Sequence, residues 1–341
     1  MVQSTNKLGD GLMKKIFLFL LVLFFTAAVF AQEIKIGTVA PSGSLWETTI
    51  KEIAAEWTKI SNGEINVKIY SGGFLGDEEN IIRQIKLGKL QAAALSSQGI
   101  KNISEDLFIL SMPMLVGNDD EFDYVFKKIQ PTFNKDLQQK GFVSLGWTNT
   151  GWVKWFSKTK VLYPDDLKQI RLAVDSSDQK AVQIWQKIGF KVIPLAFTDL
   201  LAGISSNNMA EAAYLTPYTA NAIGIAKHTP YMYDMPIAPV YAILTISDKA
   251  WKSINDKYKP LIKERTAAII EQFYPKLVKI ENEGLEIMKK NGLVVVPSTK
   301  ESITEWEKVV NSGVDLYIKQ ALSPSVYSEI KQYKNEYNNK R

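Results

Sequence analysis

Between residues 33 and 97 the chain switches repeatedly between two hydrophobic periods, and that switching limits its fold more than any other feature. EIKIGTV (33–39) alternates as a strand does. LWETTIKEIAAEWTKI then sets Trp46, Ile50, Ile53, Trp57 and Ile60 on one face of a helix. INVKIY reads as a second strand. DEENIIRQIKLGK opens with three acids, which suit a helix N-terminus. LQAAALSS is a third strand. SNGE and SGGFLG turn the chain between these pieces. The order β-α-β-α-β with short connections marks an α/β domain with a mostly parallel sheet.

The second half repeats this logic. IRLAV is a strand, SSDQKAVQIWQKIG a helix capped by Ser177 or Asp178 and closed by Gly189, and FKVIPL a strand. TPYTANAIGIAK starts a helix with Thr216 at the N-cap and Pro217 after it. PVYAILTIS (239–247) is another strand. Residues 256–291 carry one long helical pattern that Pro275 should bend. Arg171 stands out. Ile170, Leu172 and Val174 form the apolar face of its strand, so a permanent cation projects from the other side and must meet water or an anion.

Residues 13–31, MKKIFLFLLVLFFTAAVFA, have two lysines, an apolar run and small residues before a cut after Ala31. This is the pattern of a secretory leader, and its apolar run is short for a membrane span. Met13 resembles a natural start. There is no cysteine, which excludes disulfides, thiolate metal sites, a thiol nucleophile and lipid attachment at the cut. His228 is the sole histidine, so a multi-histidine metal site is excluded; it follows a helix and reads as a C-terminal cap. The net charge of +5 is too weak to argue for nucleic acid, and no basic stripe interleaves with aromatics. No G-x-S-x-G or G-x-x-x-x-G-K run is present, and the carboxylate clusters read as solvated faces. A periplasmic enzyme is therefore the weaker reading, and neither cofactor nor metal is expected. An exported chain of two α/β lobes fits a hinged binding protein that closes around a ligand.

Specific stretches carry a resemblance. YSGGFLGDEENIIRQIKLGKLQAAALSS (70–97), LSMPMLVGNDDEF (110–122) and YPDDLKQIRLAVDSSDQKAVQIWQKIGFKVIPLAFTDLLAGI (163–204) resemble, in order and spacing, segments of the substrate-binding proteins of TRAP (tripartite ATP-independent periplasmic) transporters. The likeness covers roughly residues 33–335. It implies an α/β, two-lobed periplasmic binding protein with hinge strands and a long helix spanning both lobes. The expected division is a leader at 1–31, a first lobe at 32–150, a second lobe with hinge strands at 151–245, and a long helix and C-terminal segment at 246–341 packing back on both. In that family a strand arginine pairs with the ligand's carboxylate, and it maps onto Arg171. The resemblance also implies TRAP membrane subunits as partners and uptake driven by an ion gradient.

The departures bear on the ligand. The family's glycine–aromatic–arginine run near the hinge reads TGWVKWFS (150–157) here, with Val153 in the arginine's place. Met209, Ala212 and Ala213 stand where the family carries Asp, Glu and Asn. Other candidates for the site are Trp46 after the first strand, Ser97 and Gln98 after the third, Asn149 and Trp152 in the crossover region, Tyr214, Thr216 and Tyr218, and Tyr241 on a hinge-like strand. One arginine with Met, Ala and Tyr favours a monocarboxylate with an apolar body, because a second buried charge would be poorly paired. The alternative is a neutral hydrophobic or lipid-like ligand, handled with a helical-repeat periplasmic lipoprotein.

Overall fold

The computed structural model describes residues 32–206 and 208–340, so the expected leader and the start at Met13 lie outside the described residues. The chain opens with β1 (Gln32–Gly37), α1 (Leu45–Ile60), β2 (Ile65–Tyr70), α2 (Glu78–Lys86) and β3 (Ala92–Ser96). Ser44 caps α1 by accepting from the Glu47 N–H, and Ile50, Ile53 and Trp57 bury its inner face. Asn62 and Gly63 leave that helix with positive φ and turn the chain into β2. Asp77 caps α2 by accepting from Asn80 N at 2.8 Å.

Next come α3 (Ser97–Ile100), α4 (Asp119–Gln139), β4 (Phe142–Ser157), α5 (Pro164–Gln169), β5 (Arg171–Asp175) and α6 (Gln179–Lys187). They are followed by β6 (Lys191–Leu195), α7 (Leu200–Ser205), β7 (Ala212–Leu215), α8 (Pro217–Ala222) and β8 (Tyr231–Ser247). The C-terminal part is α9 (Asp248–Ser253), α10 (Lys259–Glu271), α11 (Phe273–Lys290), β9 (Val294–Pro297), α12 (Lys300–Ala321) and α13 (Pro324–Asn338).

The strands form one sheet in the order β2-β1-β3-β8-β4-β7-β5-β6, with β9 beside β8. β1 pairs parallel with β2 and β3, and β5 pairs parallel with β6 and β7. Between these two parallel wings lies an antiparallel ribbon of β4 and β8. One end of the ribbon pairs with β3 through Ala242–Ile246 of β8. The other end pairs with β7 through Lys154–Ser157 of β4. Register shifts at Ser144/Gly146, Asn149/Trp152 and Val153/Trp155 bend the ribbon where it passes from one lobe to the other. The expected lobe boundary at 150/151 thus falls inside β4.

The single long helix expected over 256–291 is two helices, broken at Gln272. Pro275 has no N–H for the Glu271 carbonyl, and its ring crowds that carbonyl, so the break falls on the turn before it. The pair still reaches both lobes. Ile262 and Ile270 of α10 pack with Trp57 of the first lobe, and Met288 of α11 packs with Ala213 and Leu215 of the second. The last two helices cross back. Trp306 and Val310 of α12 join the core of the second lobe, and Ile330 of α13 joins Phe133 and Ile129 in the first.

Candidate functional site

A cavity of about 310 Å³ lies between the lobes. Its walls are the segments that leave the carboxyl ends of the parallel strands: Thr38–Pro41 after β1, Ser96–Gly99 after β3, Asp175–Asp178 after β5 and Leu215–Thr219 after β7. Sheets of this kind place ligands at that end. The ribbon adds Thr150, Val153 and Trp155, and α12 adds Val310, Gly313 and Tyr317.

Six of the residues expected at the site line this cavity: Trp46, Ser97, Gln98, Tyr214, Thr216 and Tyr218. Trp46 packs on Phe273 with ring centroids 4.3 Å apart. Ser97 Oγ lies 2.8 Å from Ser111 Oγ, which is itself 2.8 Å from the Pro239 carbonyl. Thr216 Oγ1 caps α8 by accepting from Thr219 N at 3.1 Å. The Tyr218 hydroxyl accepts from Leu45 N at 2.9 Å and so ties α8 of the second lobe to α1 of the first. Tyr214 and Trp155 are direct partners across β4 and β7, with ring centroids 5.4 Å apart in a T-shape.

The other four lie elsewhere. Arg171 is the first residue of β5, whereas the cavity opens beyond the strand's last residue, Asp175. Four residues of strand separate the two ends by about 13 Å. Its guanidinium Nε and its backbone N–H both donate to Glu211 Oε2 at 3.1 Å. The anion opposite Arg171 is therefore a protein carboxylate. Asn149 and Trp152 face away from the cavity and donate to Asp119 Oδ1 at 3.1 and 2.7 Å, where the Tyr274 hydroxyl also donates. The ribbon bulge lets their neighbour Thr150 reach the cavity in their place. Tyr241 is fully buried, donates to the Leu107 carbonyl, and packs among Phe122, Phe126 and Trp147.

Several lining residues escaped the sequence reading. Among the described residues the lining holds no lysine, arginine or histidine, yet it includes Asp77, Glu78, Glu79, Asp175 and Asp178. Val153, in the place of the family's hinge arginine, is one of the apolar walls. Glu78 reaches from α2 to β3, where it accepts from the Ser96 N–H and hydroxyl, both at 2.6 Å. Burial pushes its carboxyl up to about 7, against the lowering effect of those bonds and with help from the Asp175 charge. The sequence showed only that three acids open this helix; which one turns inward depends on how α2 sits against β3.

A second unforeseen feature joins the lobes. Lys101, at the end of α3, lies with its ammonium 2.5 Å from Asp178 Oδ2, and both side chains are 6% exposed. Asp178 also caps α6 by accepting from Ala181 N at 3.0 Å. Lys180 of α6 pairs with Glu105 of the first lobe beside it. No group of three or more His, Cys, Asp or Glu able to hold a metal ion occurs among the described residues. No helix among them is long and apolar enough to cross a membrane.

The comparisons agree with this architecture. A curated solute-binding protein of Chromohalobacter salexigens is 23% identical over 228 residues, covering 66% of each chain. The sialic acid-binding periplasmic protein SiaP of Vibrio cholerae is 21% identical over 318 residues, covering 90% of this chain and 96% of its own. Among solved structures, a TRAP periplasmic solute-binding protein of C. salexigens with bound d-glucuronate superposes with a TM-score of 0.81 at 16% identity, covering 89% of this chain and 99% of its own. One from Desulfovibrio salexigens with bound orotic acid gives 0.82 at 17% identity, covering 90% and 99%. The profile of bacterial extracellular solute-binding protein family 7 (DctP) matches residues 36–320. The chain belongs to that family: it is a TRAP-type substrate-binding protein and not an enzyme.

Proposed function

We propose that the chain works in the periplasm, after removal of its leader, as the receptor of a TRAP transporter for a small molecule with an apolar body and no ionised carboxylate. It hands this molecule to the membrane subunits for ion-gradient-driven uptake. The observation that carries the ligand class is the charge of the lining, which among the described residues has no cationic side chain and several acids. A carboxylate placed there would lose its water and gain no counter-charge, which is costly. Lys101, the buried ammonium beyond the wall, is already engaged by Asp178. An apolar body instead meets Trp46, Trp155, Trp185, Phe108 and Val153.

An organic acid is the second reading, favoured by the d-glucuronate and orotic acid held by relatives of the same fold. The two are separated by mass spectrometry of small molecules extracted from protein purified from its own host, with Arg171→Ala alongside. The expected result is an uncharged molecule retained by both proteins. A carboxylate present in the wild type and absent from Arg171→Ala would overturn the reading and return the arginine to the site. A helical-repeat lipoprotein belongs to this reading as a further partner, and co-purification from the same host tests it.

A further inference from the structure

We infer that Trp46 sets how long an apolar body the cavity accepts: its indole closes one end, and the apolar slot continues behind it. This rests on the reading of a ligand with an apolar body and names the side chain that limits its length.

A second, smaller void of about 10 Å³ adjoins the cavity. Trp46, Ala94 and Ala242 line both spaces. Ala94 of β3 is paired with Leu244 of β8, so Ala242 stands two residues along on the same sheet face. Both alanines are small, and the half-buried indole fills the passage that they leave. Phe273 lines the void and not the cavity, and its ring centroid lies 4.3 Å from that of Trp46. The indole therefore has the cavity on one side and Phe273 on the other.

Local sequence puts the ring there. Ser44 caps the start of α1, and Trp46, Ile50 and Ile53 follow on one helix face. Trp46 meets the cavity, while Ile50 and Ile53, further along the same face, line the void with Leu244 and Ile270. The apolar surface that suits a ligand's body thus runs on past the indole. The far side of the void is tightly packed. A Cβ at Gly146 would lie 2.5 Å from Ile270 Cδ1. Extra length therefore comes from the indole and not from that side. Truncating Trp46 joins the void to the cavity, and it leaves the wall supplied by the second lobe in place.

The test uses the full chain, stripped of bound molecules, and the neutral fluorophore N-phenyl-1-naphthylamine as the cavity probe. Straight-chain alcohols from 1-pentanol to 1-dodecanol compete against it. Each methylene that meets apolar wall should tighten displacement about three- to fourfold, and one left in water should add nothing. The wild type is therefore expected to rise with chain length and then break to a plateau. An indole covers about 150–250 Å² and a methylene about 30 Å², so Trp46→Ala should move the break by about three carbons or more. Trp46→Leu keeps the apolar face of α1 and should break between the two. Val310→Ala, in the wall supplied by α12, should leave the break where it is. If the Trp46 variants break where the wild type does, or Val310→Ala moves the break as far, the length limit lies elsewhere. The inference then falls and the apolar-body reading stands. If displacement by the wild type does not strengthen with chain length, or the probe does not bind, both fall.

Discussion

At the residue scale, Arg171 and Glu78 exchange the roles their local sequence suggests. Alternation correctly put Leu172 and Val174 on one buried face of β5. It did not show that the opposite face is covered too, by Leu200 and Ile204 around Ala173, nor that Glu211 waits 40 residues ahead for the arginine. Glu78 looked like one of three solvated acids and is the one that reaches across to β3, where it accepts from the Ser96 N–H and hydroxyl. It ionises at about 7 in the folded chain, against an ordinary 4.5. The unfolded chain therefore releases this proton first as the pH rises. Stability linked to Glu78 is whole below about pH 4.5, declines between about 4.5 and 7, and is gone above. The span corresponds to about 3 kcal/mol. Glu78→Gln keeps a hydrogen-bonding side chain and removes the titration. Urea unfolding across this window should show a fall for the wild type that the variant lacks; identical slopes would place the titration elsewhere.

At the scale of elements, most helices and strands follow from local pattern, and the ribbon does not. PVYAILTIS predicted a strand of ordinary length, whereas β8 begins at Tyr231 and includes Pro236 and Pro239. Those prolines are tolerated because the ladder is interrupted by bulges near them. The ribbon's length is a tertiary fact, since each half is held by a different lobe. The C-terminal helices show the same division. Their amphipathic pattern is local, but their partners are not: α13 closes the core over α4, with Ile330 0% exposed against Phe133 and Ile129. Ile330→Ala should cost about 2–5 kcal/mol in chemical denaturation, as for a large apolar side chain lost from a packed core. A loss under about 1 kcal/mol would mean that this helix is only loosely docked.

At the scale of the whole molecule, the lobes meet through Lys101–Asp178, Lys180–Glu105 and the Leu45–Tyr218 hydrogen bond. The buried pair is the strongest candidate for a latch, because separation of the lobes returns both charges to water. Asp178→Asn retains the oxygen that caps α6 and strands the Lys101 ammonium. Removing one partner of a buried pair costs about 3–5 kcal/mol, a penalty the molecule escapes by opening. Small-angle scattering should therefore show a larger radius of gyration, and ligand affinity should fall about tenfold or more. Lys101→Met combined with Asp178→Asn should restore the compact form. An unchanged radius and affinity in the single variant would remove the latch.

The sequence by itself determined the class of this protein: the α/β alternation, the capped helices, two lobes and membership of the solute-binding family. Those properties are written in hydrophobic periods and turn chemistry, which act over a few residues. Only the tertiary structure decided the charge of the cavity. Period two tells which face of a strand a side chain occupies, but the direction of β5 in the sheet tells which end meets the ligand. That direction put Arg171 at the far end, beside Glu211, and left Asp175, Glu78 and a wall of aromatic rings where a cation was expected.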